Sequence, residues 1–245
     1  CENGWYNTKT NISQFQKNSY ITSEKYLLKS DSLYYDKNLG YGKAINNVEL
    51  IDTIDNIRVF GGFGEYFEEK EIIEITKTPI LQILNETDTL FMHAKKFLSQ
   101  HKTRKNKIIA YNKVKFFKKG LQGKCDSLSY NLSDSLVKMF NHPIIWSNKL
   151  QITSDSIAFL LKNGEIKNLF LKSNPMIVSE EDSLDYNQIK GKKMTAFFNN
   201  NKIMRMNIEG NGQSIFVVVN EETKEKIGLK YTESSNLILY FYLNI

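Results

Sequence analysis

The segment Tyr34-Tyr35-Asp36-Lys37-Asn38 ends a strand with two aromatic side chains and continues into a polar turn. This combination recurs about every thirty residues along the chain, a period typical of one small structural unit stacked many times. The other copies are Trp5-Tyr6-Asn7-Thr8-Lys9, Tyr66-Phe67-Glu68-Glu69-Lys70, Tyr130-Asn131-Leu132-Ser133-Asp134 and Phe197-Phe198-Asn199-Asn200-Asn201. Because each unit would cover its neighbour's apolar face, the repeat predicts an elongated, all-β antiparallel protein.

A second pattern keeps step with the first: a polar corner that contains Asn leads into an alternating apolar strand. Asn tolerates left-handed backbone and hydrogen-bonds nearby main chain, so it suits a point where a strand changes direction. The corners are Lys17-Asn18, Asn46-Asn47, Tyr111-Asn112-Lys113, Asn141-His142-Pro143 and Ser173-Asn174-Pro175. Each unit is therefore predicted to be a strand, a short turn, a second strand and a corner into the next unit.

Strand signals dominate the rest of the chain, because apolar and polar residues alternate with a period of two. We expect strand even at Ala94–Gln100, where a helical phase is conceivable, because this segment occupies the aromatic slot of the repeat. Asn163-Gly164 predicts a tight hairpin between its flanking strands. After about residue 180 the repeat loosens, and Leu237–Leu243 predicts a final strand in a divergent terminal cap,.

Length and composition exclude several classes of protein. The chain has 245 residues, of which 41% are hydrophobic and 12% aromatic, which are values of a folded globular protein. No stretch approaches the roughly 18 consecutive apolar residues of a membrane helix. The net charge of +6 is spread out, and its densest patch, Lys102–Lys107, is interpreted as a solvated loop. We therefore do not expect nucleic-acid binding.

The first residue is Cys1, and two interpretations of it stay open. It could be the acylated first residue of a bacterial lipoprotein. Alternatively, Cys1–Asn7 is a repeat entered midway, because it resembles Lys124–Asn131. The second interpretation predicts that the chain is a fragment of a longer repeat protein. Two cysteines make no disulfide framework, and no Cys/His group has zinc spacing.

Candidate catalytic groups are better interpreted as structural. Gly61-Gly62-Phe63-Gly64 follows a strand but precedes no helix, so a sharp bend or bulge is expected in place of a phosphate loop. The histidines lie too far apart in sequence to supply a local site, and an acid that recurs in a repeat is more often a hydrogen-bonding corner residue than part of a catalytic pair. These residues are His93, His101, His142, Asp31, Asp126, Asp155 and Asp182. We predict corner hydrogen bonds for the acids, and neither catalytic residues, metal nor cofactor.

The strand beginnings of the form Asp-Ser-Leu-x-Tyr, followed by a turn and a Gly/Asn-x-Val corner, resemble the OstA/LptA family. The segments that carry the resemblance are Ser30–Asp36, Gly61–Phe67, Gly123–Leu128, Asn187–Lys192 and Ile208–Gln213. The members of this family are the lipopolysaccharide-transport proteins of Gram-negative bacteria. The long OstA-like proteins among them resemble this chain most. The chain departs from the family pattern at Asn46-Asn47, where Gly-Asn is usual.

The resemblance implies a single periplasmic β-jellyroll over residues 1–245, a folded-over sheet whose apolar interior shields lipid acyl chains. Residues 1–180 would form regular repeats and residues 181–245 the cap. It implies a non-enzymatic scaffold that binds lipopolysaccharide or lipid A and helps to bridge the inner and outer membranes. Other transport components, or further copies joined by strand addition, would be its partners. It would be peripheral to membranes, in the periplasm or associated with the outer membrane.

Alternation of side chains assigns one face of each strand to the interior, although a slip of one residue would reverse it. The residues that we expect to line the lipid trough are Val48, Leu50, Ile73, Ile75, Val114, Phe116, Ile144, Trp146, Leu169, Leu171, Met204 and Met206.

Two other functions stay open at this point. A cell-surface structural or adhesive β-repeat protein would bind protein or glycan through its outer face. A β-helix glycosidase would need two carboxylates at hydrolytic separation on one face, and the recurring acids, Asp126 among them, are the candidates.

Overall fold

A computed structural model describes residues 1–23, 25–84, 88–102, 105–147, 149–162, 165–181, 184–199, 202–220, 222–223 and 225–241. In this part of the chain the regular structure is all β-strand, and the pairings are antiparallel. The predicted all-β antiparallel class is confirmed. None of the described residues forms a helix long and apolar enough to cross a membrane.

The chain divides into two compact units. Unit 1 comprises Cys1–Lys119 and Ser127–Ser133, and unit 2 comprises Gly120–Asp126 and Asp134–Ile245. The strands of unit 1 are β1 (Asn3–Asn7), β2 (Ile12–Thr22), β3 (Tyr26–Asp36), β4 (Tyr41–Asp52), β5 (Ile57–Phe67), β6 (Ile72–Thr76), β7 (Ile80–Leu84), β8 (Thr89–His93), β9 (Lys96–Lys102) and β10 (Lys105–Lys118).

Unit 1 is a sheet folded into two halves, because its long strands bend in the middle. Half-sheet A pairs β1, β2, β3, β4, β5, β6, β9 and β10 in that order. Half-sheet B pairs β2, β3, β4, β5, β7, β8 and β10. Strands β2 to β5 and β10 thus contribute their two ends to different half-sheets.

Unit 2 repeats this arrangement. The strand β11 (Leu121–Asn131) contributes residues to both units, and ten more strands follow. They are β12 (Leu136–Phe140), β13 (Ile144–Ser147), β14 (Leu150–Thr153), β15 (Ser156–Lys162), β16 (Glu165–Lys172), β17 (Met176–Glu180), β18 (Tyr186–Lys190), β19 (Lys193–Asn199), β20 (Lys202–Val219) and β21 (Lys226–Tyr240). One half-sheet pairs β12, β15, β16, β19, β20 and β21, and the other pairs β11, β13, β14, β17, β18, β20 and β21.

The predicted corners are confirmed by their backbone. Asn46 and Asn47 both have left-handed backbone, with φ of 58° and 47°. The other pairs of consecutive residues with positive φ are Lys17-Asn18, Lys77-Thr78, Asn112-Lys113, Asn141-His142, Ser173-Asn174 and Gly210-Asn211. The register with the neighbouring strand shifts at such a pair, as between Ile45 and Val48. Two left-handed residues in succession therefore bend the strand from one half-sheet into the other.

The recurring acids hold these corners, as predicted. The Asn47 side-chain amide donates hydrogen bonds to both carboxylate oxygens of Asp31, at 3.1 and 3.0 Å. The same bond joins Asn174 to Asp155, at 3.2 Å. Asn141 and Asp126 make the third example, at 3.5 Å. Asp182 lies outside the described residues.

The core follows a simple rule, counted from the corners other than Lys17-Asn18, after which the third residue, Ile21, is exposed. The first and third residues after the left-handed pair are buried: Val48 and Leu50 in β4, and Val114 and Phe116 in β10. Because side chains alternate along a strand, these positions share one face. The rule holds where proline takes the first position, since Pro143 and Ile145 are both buried.

Glycines occupy the matching bend of β5, as the sequence predicted for Gly61-Gly62. A Cβ on Gly61 would lie 2.5 Å from Ile75 Cγ2 and 2.8 Å from the Thr76 carbonyl oxygen. Only a residue without a side chain fits there.

Three smaller predictions concern single segments. Ala94–Gln100 is strand from Lys96 onward, as expected. Asn163-Gly164 lies outside the described residues, but its flanking residues Lys162 and Glu165 pair as in a tight hairpin. The final strand, β21, is longer than predicted and is described to Tyr240.

Candidate functional site: an apolar cavity in unit 1

The two half-sheets of unit 1 enclose a cavity of about 380 Å³. Half-sheet A contributes Leu33, Ala44 and Ile75, and half-sheet B contributes Val48 and Leu50. All five side chains are buried. The volume falls in the range of about 300–1,000 Å³ that is typical of small-molecule sites.

The cavity exists because small residues meet on adjacent strands. Ala44 of β4 and Gly64 of β5 are directly opposed, and Gly42 and Tyr66 oppose each other two residues further along. A Cβ on Gly64 would lie 3.4 Å from Val48 Cγ1 and 3.6 Å from Ala44 Cβ, which are ordinary contact distances. A Cβ therefore fits at this point of the inner face, which Gly64 leaves unfilled.

Tyrosines line the outer margin of the cavity. The Tyr35 hydroxyl donates a hydrogen bond of 2.6 Å to Glu68 Oε2, and this bond raises the pKa of Tyr35 to about 12. Tyr26 and Tyr66 also line the cavity, and burial raises the pKa of each. Since all three hydroxyls stay neutral at physiological pH, the margin is polar but uncharged at these residues.

The cavity opens to solvent at one side. Its lining includes Ile21, Ser23 and Tyr66, all of them exposed. Ile21 is 48% exposed although it is apolar and faces the same interior as Leu28, its partner in β3. An apolar side chain at an opening of this kind suits a ligand that brings apolar surface to it.

A much smaller void, of about 30 Å³, lies next to the cavity. It shares Tyr26, Leu50, Ile73 and Ile75 with the cavity. Its other lining includes Ile57, Val59, Phe97 and Ile108, large side chains that fill the space between the half-sheets. Of these two spaces between the half-sheets, the larger one lies around β4 and β5.

Four of the twelve residues predicted to line a trough, Val48, Leu50, Ile73 and Ile75, line this one cavity. Val114 and Phe116 are buried elsewhere in unit 1, at 0% and 8% exposure. The remaining predicted residues belong to unit 2.

Leu169, Leu171 and Met206 are buried in unit 2, each at 1% exposure. Met204 is 39% exposed. It lies at a bulge, because Phe197 pairs with Arg205 while the next residue, Phe198, pairs with Ile203. The bulge separates Met204 from the buried face on which Met206 lies.

The structure differs from the sequence prediction in β13. Ile144 and Trp146 are only partly buried, and Ile145 between them is the core residue, at 2% exposure. The Trp146 Nε1–H donates to Gln151 Oε1 at 2.8 Å. Pro143 takes the first inward position after the corner, so the alternation starts one residue earlier than the prediction assumed.

One of the described histidines lies beside an acid, at a corner. His93 and His142 are exposed, and the side chain of His101 lies outside it. His142 Nδ1 is 3.6 Å from Asp155 Oδ1 at a corner. No group of three or more His, Cys, Asp or Glu suited to a metal ion occurs among the described residues.

Sequence reasoning missed the residues that make the cavity open. Ala44, Gly64 and the tyrosines did not stand out because an apolar pattern draws attention to large side chains. One signal was present: Ala44 lies two residues before the corner Asn46-Asn47, on the same face as Val48. A small residue at that position marks a gap in the inner face.

No family model matches the chain, and no curated protein matches it. Among solved structures it is similar to LptH, the LptA homologous periplasmic component of the lipopolysaccharide transport device of Pseudomonas aeruginosa. The identity is 10%, the TM-score 0.41, and the match covers 47% of this chain and 81% of LptH. Hsv2 of Kluyvelomyces marxianus matches at 8% identity with a TM-score of 0.19, over 96% of this chain and 97% of Hsv2. With TM-scores this low, neither likeness bears on what the chain binds.

The fold and the cavity together define the class of protein: an all-β chain of bent antiparallel strands, with an apolar cavity between two halves of a folded sheet.

Proposed function

We propose that this chain is a non-enzymatic scaffold of the Gram-negative periplasm that binds acyl chains of lipopolysaccharide in the cavity of unit 1. In this role it helps to carry lipid from the inner to the outer membrane, together with other transport components or further copies of itself. The observation that carries the proposal is the apolar cavity of about 380 Å³ between the half-sheets.

The chemistry of the lining supports an acyl chain as the occupant. Each methylene removed from water contributes about 0.8 kcal/mol, so a hydrocarbon chain binds without any polar contact deep in the site. The deep lining supplies aliphatic side chains, such as Val48 and Leu50, and the margin supplies neutral tyrosine hydroxyls. An amphipathic lipid matches this arrangement, with its tail inside and its head group at the margin.

The strand-beginning motifs support lipopolysaccharide in particular, because they resemble the OstA/LptA transport family. The proposal assigns the recurring acids to the corners, where Asp31, Asp126 and Asp155 accept hydrogen bonds from asparagines. It gives them no part in catalysis.

Photo-crosslinking tests the proposal. A benzophenone amino acid replaces Tyr66, which lines the cavity, or Tyr20, which is 63% exposed and lies on the opposite face from Ile21. Both sites carry exposed tyrosines, so the two variants are a matched pair. With purified lipopolysaccharide, we expect crosslinking at position 66 and little at position 20. Capture at position 20 alone would contradict the proposal.

A second candidate is a cell-surface adhesive protein that binds glycan or protein through exposed aromatic residues. Trp5 and Tyr20 favour it, because they are 51% and 63% exposed and such rings present an apolar face with a polar tip. Cleavage by a protease added to intact cells would support this candidate over a periplasmic location.

A further inference from the structure

We infer that Ile75 sets the length of the acyl chain that the cavity accepts. The inference rests on the proposed function and adds a specificity-determining residue to it. Three features carry it: the row of inner side chains across half-sheet A, the change of free volume at Ile75, and the position of the opening.

The inner row runs across the strands of half-sheet A through directly paired residues. Its members are Leu33, Ala44, Gly64, Ile75, Phe97 and Ala110. Neighbouring strands lie about 4.8 Å apart, so each member of the row lies about that distance from the next. The row has small residues at Ala44 and Gly64 and a large side chain at Ile75, which is 2% exposed.

The free volume changes at the same residue. Ile75 lines both the cavity of about 380 Å³ and the void of about 30 Å³. Phe97, the next residue of the row, lines only the smaller void and is 2% exposed. Tyr26, Leu50 and Ile73 also line both spaces, but Ile75 is the one of the four that belongs to the inner row of half-sheet A. Along that row, the open part of the interior ends at Ile75.

The opening allows a lipid to enter at the end of the cavity away from Ile75. Ile21 and Ser23 form the part of the opening at β2, and Tyr66 of β5 forms another part. A lipid that enters beside Ile21 and Ser23 has β3, β4 and β5 between it and Ile75 on β6. A charged head group is costly to bury, so it stays at the opening. The terminal methyl group therefore points towards Ile75.

This geometry predicts a limit to affinity. Each added methylene that is buried strengthens binding about fourfold. Once the chain reaches Ile75, further methylenes stay in solvent and add nothing. A plot of the logarithm of affinity against chain length therefore rises and then levels off.

The experiment measures the affinity of the full chain for straight-chain alkanoates of increasing length, by isothermal titration calorimetry. Ile75→Ala removes side-chain atoms that line both the cavity and the small void. Gly64→Val places a larger side chain where a Cβ has only ordinary contacts. Ile157→Ala in β15 of unit 2 is the matched control, because Ile157 is 1% exposed and lines neither space. Ile75→Val serves if Ile75→Ala does not fold.

We expect the levelling point to move to longer chains in Ile75→Ala, to shorter chains in Gly64→Val, and to stay in place in Ile157→Ala. If all variants bind with the wild-type levelling point, Ile75 does not set the length and the proposed function stands. If the wild-type protein binds no alkanoate of any length, the proposed function itself fails.

Discussion

Among single residues, two glycines that lack a side chain shape the bend and the cavity. Gly61 and Gly64 lie on the same strand, three residues apart, and differ in why they lack a side chain. At Gly61 the backbone and Ile75 leave no space for a Cβ, whereas at Gly64 a Cβ would enter the cavity at contact distance. One glycine is required by the bend, and the other keeps the site open.

This difference makes a direct prediction for two alanine variants. Gly61→Ala overpacks the bend, so we expect the free energy of unfolding to fall by about 1–3 kcal/mol. Gly64→Ala fits and restricts the unfolded chain, so its free energy of unfolding stays the same or rises by up to about 1 kcal/mol. Urea unfolding of the two variants measures both, and equal losses would contradict the description of the cavity.

The buried thiol offers a second test at this scale. Cys125 is 7% exposed, and desolvation raises its pKa to about 12. Because the thiolate is the reactive form, we expect native Cys125 to resist a thiol reagent at pH 8 and to react once urea unfolds the chain. A Cys1→Ser background removes the exposed cysteine from the measurement. Rapid labelling of Cys125 in the native protein would show that it is not packed as described.

At the scale of elements, the corner is the repeated device of the fold. Two left-handed residues bend the long strands β2, β4, β10 and β20. An Asn–Asp hydrogen bond joins neighbouring bends at Asn47 and Asp31. The residues that follow the corner then alternate between core and solvent. Each half-sheet therefore obtains its inner face from the position of the corner.

Asn46 tests the backbone contribution separately, because its side chain is exposed and its φ is 58°. Valine in a left-handed conformation costs about 1–2 kcal/mol, so Asn46→Val should lower the free energy of unfolding by that amount. Glycine adopts this conformation freely, so Asn46→Gly should unfold like the wild-type protein. Urea titrations of both variants check this, and similar stability for Val and Gly would argue against a left-handed corner.

Much of this element-level structure could be predicted from sequence. Asn, Ser and Pro recur at one point of the repeat and so predict the corners, and the alternation of apolar residues predicts that Val48 and Val114 face inward. The alternation failed at Pro143, because proline was taken as part of the corner and the inward phase passed to Ile144 in place of Ile145. When positions are counted from the second left-handed residue, the correct inward face is obtained in β13 as well as in β4 and β10.

The cavity could not be predicted in the same way, because it depends on register. Ala44 and Gly64 are twenty positions apart in sequence and become neighbours only through the pairing of β4 with β5. The sequence shows which residues are small, but it does not show that two small residues are opposed. The lining of the void by Phe97 and Ile108 depends on pairing in the same way.

For the whole molecule, the proposed binding of a lipid predicts an effect on stability. A ligand that binds only the folded state stabilises it, by about 2.7 kcal/mol at a concentration one hundred times its dissociation constant. We therefore expect an alkanoate that binds in the calorimetric series to raise the free energy of unfolding by this amount. Chemical unfolding of the full chain with and without this ligand measures the effect.

Gly64→Leu is the control for that measurement. A leucine side chain would occupy the space beside Val48 and Ala44, so the variant should fold and gain little from the ligand. Equal stabilisation of the variant and the wild-type protein would mean that the ligand binds elsewhere.

A crystal structure of the chain with an acyl chain that carries a bromine atom at its terminal carbon tests lipid binding in unit 1 most directly. We expect an anomalous peak between the two half-sheets of unit 1, beyond Ala44 and Gly64 and against Ile75. A peak found only on the outer face of either half-sheet would contradict it.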